Sequence, residues 1–188
     1  MFRPLTEPAT ARWRSLECGG IEHMTLETCD GGWQAKAVVV GARGGKPYGA
    51  SYRIEGDAGW QVRSFTIETT DGRRLALLSH GDGNWQDEDG RERPEFDGCL
   101  DIDLAATPFT NTLPIRRSGL TQSDGRTGFA MLFVPFDTLE PHAETQFYTC
   151  LDNGRLYRFE TADGNFAADL PVDADGLVTD YPDLFQRL

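Results

Sequence analysis

Residues 97–120 read DGCLDIDLAATPFTNTLPIRRSGL. The first part alternates. Leu100, Ile102 and Leu104 point one way, and Cys99, Asp101 and Asp103 the other, which is the period of two of a half-buried β-strand. A polar, proline-marked segment follows: Thr107-Pro108, the cluster Thr110-Asn111-Thr112, Pro114, and the pair Arg116-Arg117. Two aspartates on one strand face, with two arginines shortly after, make the densest polar constellation in the chain. It matches no known catalytic motif.

In the rest of the chain, turn chemistry dominates. Asp-Gly occurs at 30–31, 71–72, 82–83, 89–90, 97–98, 124–125, 163–164 and 175–176, and Asn-Gly at 153–154. These dipeptides favour positive φ and read as type I′ hairpin turns. Spread over the whole length, and mostly flanked by β-rich runs, they predict a continuous antiparallel meander with candidate strands at 12–18, 22–29, 33–40, 48–55, 60–70, 73–79, 96–104, 113–120, 127–135, 145–151, 155–161 and 165–170. A sheet of that many strands accumulates twist and curls into a roll or barrel-like form. Helical signal is sparse. In TDYPDLFQRL (179–188), Tyr181, Leu184, Phe185 and Leu188 fall at i, i+3, i+4 and i+7, the spacing of one helix face. Thr107-Pro108 is a second helix start with a threonine N-cap, short because Pro114 lies close behind.

The 188 residues fit one domain, 1–188, with no linker-like segment inside it. Thirty acidic against eighteen basic side chains give a formal charge of −12, which repels phosphate backbones and argues against nucleic-acid partners. No window has the length of a transmembrane helix, and the first residues lack the apolar core of a signal peptide, so a cytoplasmic location is expected. Cys18, Cys29, Cys99 and Cys150 form no CxxC pair, and His23, His80 and His142 stand far apart. Reduced thiols, no metal site and no cofactor are therefore expected.

Asp101 and Asp103 carry two readings. They act as a paired acid and base if both face a closed interior, or they lie on the solvent side while the leucines and Ile102 fill the core. One of Arg116 and Arg117 either pairs structurally with one of these aspartates or holds an anionic or polar head group. Thr110, Asn111 and Thr112 either cap turns or read hydroxyl groups. The aromatics Trp13, Trp33, Trp60, Trp85, Tyr52, Phe129 and Phe133 either fill the core or line an apolar pocket.

GCLDIDLAATPFTNTLPIRR (98–117), VDADGLVTDYPDLFQRL (172–188), and YRI at 52–54 followed by Trp60 resemble the bacterial "Putative glycolipid-binding" family, formerly a domain of unknown function. The resemblance extends over nearly the whole chain. It implies a spiral β-roll, one long antiparallel sheet wrapped around a single α-helix. It also implies a glycolipid-binding role drawn from likeness in shape to lipoprotein carriers, with no established catalytic residues to carry over.

The reading is therefore a mostly-β protein: a single large antiparallel sheet curled around one helix, here placed in the C-terminal segment. Its interior takes a small amphipathic ligand, a glycolipid or acyl chain. Asp101, Asp103, Asn111 and Arg116 are expected at the polar end, and Phe129, Phe133, Trp60 and Tyr52 at the apolar end. The alternative is an enzyme on a small polar metabolite using Asp101 and Asp103. Oligomeric state is left open.

Overall fold

A computed structural model describes residues 2–188. Among them are fourteen strands and one α-helix: β1 (Ala9–Ser15), β2 (Ile21–Cys29), β3 (Gly32–Arg43), β4 (Lys46–Asp57), β5 (Val62–Thr69), β6 (Arg74–Ser79), β7 (Trp85–Asp87), β8 (Asp101–Leu104), α1 (Thr112–Ser118), β9 (Thr127–Val134), β10 (His142–Asp152), β11 (Leu156–Thr161), β12 (Ala167–Pro171), β13 (Asp180–Tyr181) and β14 (Phe185–Arg187). The protein is mostly β with one short helix, as the sequence predicts. The strands divide into a nine-stranded antiparallel sheet, β13-β14-β1-β2-β3-β4-β5-β6-β7, and a curled five-stranded sheet, β12-β11-β10-β9-β8.

The glycine dipeptides do punctuate the chain, and all nine of their glycines have positive φ. The residue before each glycine does not, so these are not type I′ turns. In the segment 69–72 the Gly72 N–H donates to the Thr69 carbonyl, and the Thr69 N–H then donates to the Arg73 carbonyl. That is a type I turn closed by a left-handed glycine, the three-residue hairpin loop with a G1 bulge. The segment 161–164 closes the same way through Gly164 N–H to the Thr161 carbonyl. Aspartate suits the right-handed position before the glycine and does not have to enter the left-handed region.

The helix lies where a strand was expected. Residues 113–120 do not form a strand, and α1 occupies Thr112–Ser118, ending on Gly119 at φ 62°. Pro114 sits in the first turn, where its missing N–H has no intrahelical duty, so it does not stop the helix. Thr107 does cap, accepting from the Phe109 N–H at 3.0 Å, but it caps a short 3-10 turn, Pro108–Asn111, that leads into α1. Topology supplies the reason for a helix here. β8 runs parallel to β9, and parallel neighbours cannot be joined by a hairpin; α1 lies in the crossover between them. The strand read at 96–104 is shorter than expected, because Pro94–Phe96 is a 3-10 turn and pairing begins at Asp101.

The C-terminal segment is likewise not a helix. Tyr181 pairs with Phe185 across a tight turn in which Asp183 has φ 66°, and β14 then adds to β1, with Trp13 opposite Arg187. Sheet pairing along β1 outweighs a helical spacing only four apolar residues long. The Tyr181 and Phe185 rings meet at 6.2 Å, so both apolar residues are used by the hairpin.

The inner face of the larger sheet carries Trp13, Met24, Leu26, Tyr52, Ile54, Phe65 and Ile67, with small Ala35 and Ala37 on β3 making room for the neighbouring rings. α1 lies between the sheets: Leu113 belongs to the core of the larger and Ile115 to that of the smaller. Trp33 is held from two sides, stacked on Trp60 at 5.0 Å and edge-on to Phe109 at 6.1 Å. Gly56 lies opposite Trp33, and a Cβ there would stand 2.2 Å from the indole. Because Trp33 has nowhere to retreat, Gly56→Ala is expected to cost about 1–3 kcal/mol. Thermal melts should show Tm falling by roughly 3–10 °C. An unchanged Tm would mean the indole is free to move.

Candidate functional site

Strand β8 is covered on both faces, a consequence of its place beside β9 and under the 3-10 turn. Ile102 and Leu104 enter the larger core. Asp101 and Asp103 point the other way, but neither stands on an open solvent face. Asp101 has no exposed surface. The Arg117 guanidinium grips it in a fork: Nε donates to Oδ1 at 3.0 Å and Nη2 to Oδ2 at 2.6 Å. Burial pushes the Asp101 carboxyl above its ordinary range, and Arg117 opposes that. Of the two readings for the arginines, the structural ion pair is the one Arg117 adopts.

Asp103 is half-buried. Its Oδ1 accepts from the Thr110 hydroxyl at 3.2 Å and its Oδ2 from Gln146 Nε2 at 2.6 Å. Gln146 Nε2 also donates to Glu144 Oε1 at 2.7 Å. Burial, reinforced by the Glu144 charge, pushes Asp103 up to about 6. Asn111 Oδ1 accepts from the Tyr148 hydroxyl at 3.0 Å, which fixes the amide at the wall. Asp103, Asn111, Glu144 and Gln146 form the polar side of a cleft of about 400 Å³ between the two sheets. Its other side is aromatic: Phe159, Phe166, Tyr181 and Phe185, with ring centroids 6.0–6.2 Å apart along the row. Phe133 lines it from β9, and Glu17 and Arg43 stand at one end. The Arg43 guanidinium lies 5.6 Å from the Phe133 ring centroid and 3.5 Å from Asp137.

Of the eight residues expected in one site, the cleft brings together Asp103, Asn111 and Phe133. The others lie elsewhere. Asp101 is locked to Arg117, and both its oxygens are used, so a paired acid and base facing one cavity is not the arrangement present. Phe129 packs against Tyr148 at 5.9 Å with Arg117 over its ring. Trp60 and Arg116 line a separate hollow of about 460 Å³ with Phe2, Leu120 and Tyr157. There the Arg116 guanidinium sits 4.1 Å from the Trp60 ring centroid and donates to the carbonyls of Asp175 and Arg3, clamping the N-terminal segment. Tyr52 is in the core, donating its hydroxyl to Glu22 Oε1 at 2.5 Å.

The sequence reading missed Glu22, Glu144, Gln146 and the aromatic row. Glu22 had a signal: it lies two residues before Met24 and so falls on the buried face of β2. All four cysteines are free. Among the described residues no cluster of His, Cys, Asp or Glu is arranged to hold a metal ion.

The sequence matches the family described as "Putative glycolipid-binding" over residues 10–187. The chain belongs to that family. The family's structural likeness is equally direct: the crystal structure of a DUF1089 family protein from Pseudomonas aeruginosa is 44% identical, with a TM-score of 0.78 over 89% of this chain and 92% of that chain. No curated protein matches the chain. No helix among the described residues is long and apolar enough to cross a membrane.

Proposed function

We propose that the chain binds one amphipathic, glycolipid-like molecule in the cleft between its two sheets. The observation that carries this reading is the division of the cleft into an aromatic wall and a wall of fixed hydrogen-bonding groups. Its volume, about 400 Å³, suits one sugar ring and a short alkyl segment, and lies in the range of about 300–1,000 Å³ usual for small-molecule sites. Asp103, Glu144 and Gln146 meet the head group. Phe159, Phe166 and Phe185 cover the tail. The family's name supports the ligand class.

The test is a calorimetric titration with monomeric alkyl glucosides of increasing chain length. Each methylene buried against the aromatic row contributes about 0.8 kcal/mol, so affinity should rise about fourfold per carbon until the cleft is full. Phe166→Ala, which opens the aromatic wall, should weaken the longer glucosides by about tenfold. Affinity independent of chain length, or unaltered in Phe166→Ala, contradicts a tail-binding cleft.

A further inference from the structure

Glu22 stands on the inner face of β2, in register with Trp13 on β1 and Val39 on β3, and is only 2% exposed. Its Oε1 accepts from Tyr52. Its Oε2 makes no hydrogen bond of ordinary length and angle among the described residues, although the Thr107 hydroxyl lies close enough to favour the charged carboxyl. A buried carboxylate oxygen without a donor is expensive, and folded proteins rarely leave one. Glu22 is among the residues lining a narrow pocket of about 30 Å³, the size of a single water or hydroxyl. Glu17, Arg43, Ala105 and Phe185 line both this pocket and the larger cleft, so the pocket is an inner branch of that cleft.

We propose that Glu22 is the deep polar anchor of the ligand site and that it selects an uncharged, hydroxyl-bearing head group over an anionic one. This rests on reading the cleft as an amphiphile site and adds the residue that discriminates among its head groups. The chemistry of the lining points one way. Glu17, Glu22, Asp103 and Glu144 present acceptors, and the single cation among the described residues that line the cleft, Arg43, is already paired with Asp137. A hydroxyl donates to a carboxylate in a charge-assisted bond. A fatty-acid carboxylate or a phosphate dianion offers no hydrogen to donate, and any phosphate or carboxylate head group would meet like charges in a site of reduced dielectric. Burial holds the Glu22 carboxyl up to about 7, so it exists in both protonation states near neutrality. A hydroxyl matches either state, because it both donates and accepts. The pocket admits one such group and no more, so the sugar's outermost hydroxyl enters while its ring stays among Asp103, Glu144 and Gln146.

The experiment compares octyl glucoside with octyl phosphate, both monomeric, by calorimetry on the wild-type chain and on Glu22→Leu and Glu22→Gln. Octyl glucoside is expected to saturate one site per chain and octyl phosphate to bind at least tenfold more weakly. Glu22→Leu should weaken the glucoside at least tenfold, and Glu22→Gln, which keeps a polar group, should fall between. Should Glu22→Leu fail to fold, Glu22→Gln decides together with the wild-type head-group comparison, and a glucoside affinity untouched by Glu22→Gln overturns the role of Glu22. Phosphate binding as tight as glucoside binding, or a glucoside affinity untouched by Glu22→Leu, overturns the role of Glu22 and leaves the cleft as an amphiphile site. Saturation by neither surfactant overturns both.

Discussion

Arg117→Ala is expected to lower stability at neutral pH by about 3–5 kcal/mol, the cost of stranding a buried carboxylate whose partner has been removed. Asp101 has no exposed surface, and both its oxygens are taken by the Arg117 guanidinium. Thermal melts should show a drop of roughly 10 °C or more. The loss has a pH signature. Burial already raises the Asp101 pKa in the folded protein, and removing Arg117 raises it further. A raised carboxyl contributes stability below its unfolded value, near 3.9, and loses it as pH rises. The deficit of Arg117→Ala should therefore shrink as pH falls toward about 4. The pair fixes geometry more than it adds stability, so Asp101→Leu combined with Arg117→Met should recover most of the loss. A deficit below about 1 kcal/mol would mean the pair behaves like a surface ion pair.

The second large effect is at Glu22. Its carboxyl sits at about 7 in the folded protein against an ordinary 4.5, because burial penalises the charge more than the Tyr52 and Thr107 hydroxyls favour it. Below about 4.5 both folded and unfolded chains hold the proton, and this group does not disfavour folding. Between about 4.5 and about 7 the unfolded chain gives up that proton while the folded chain keeps it, and stability is lost across that window until the folded carboxyl ionises too. The gap corresponds to about 3 kcal/mol, complete above pH about 7.5. Glu22→Gln keeps an acceptor for Tyr52 and never ionises. The stability of Glu22→Gln minus that of the ligand-free wild type should therefore rise by about 3 kcal/mol between acid and mildly alkaline pH. Urea titrations at a series of pH values measure this difference directly. A flat difference would mean that water reaches the carboxyl and that it titrates normally. Exposed carboxylates such as Asp71, which its Thr69 and Arg73 partners hold below the ordinary range, push the opposite way and cancel in the subtraction.

How much of this was legible beforehand follows from the distances over which the deciding forces act. The hairpin turns are local, and every Asp-Gly and Asn-Gly did place a left-handed glycine; only the turn type escaped, because the partner position is set by loop length as well as by residue preference. The helix was misplaced because two short segments competed on weak local evidence. Residues 113–120 have the residues of a strand, yet the parallel pairing of β8 with β9 requires a crossover there. Residues 181–188 have helical spacing, yet β1 offers an open edge to which β14 can bond. Neither pairing can be read from its own segment. The site shows the same division. Asp103, Asn111 and Phe133 come from the stretch of unusual polarity and its neighbouring strand, and they do line the cleft. Its remaining walls come from Glu17, Arg43, Glu144 and Phe166, which only the closure of the two sheets brings together. Glu22 was the one readable omission, since alternation from Met24 already put a carboxylate on the buried face.

The most direct test of the binding account is a crystal structure of the wild-type chain grown with octyl glucoside. Its alkyl chain is expected along Phe159, Phe166 and Phe185, its sugar against Asp103 and Glu144, and one hydroxyl within hydrogen-bonding distance of the Glu22 carboxyl. A glucoside seated instead in the hollow between Trp60 and Arg116, or an empty cleft at saturating concentration, would contradict it.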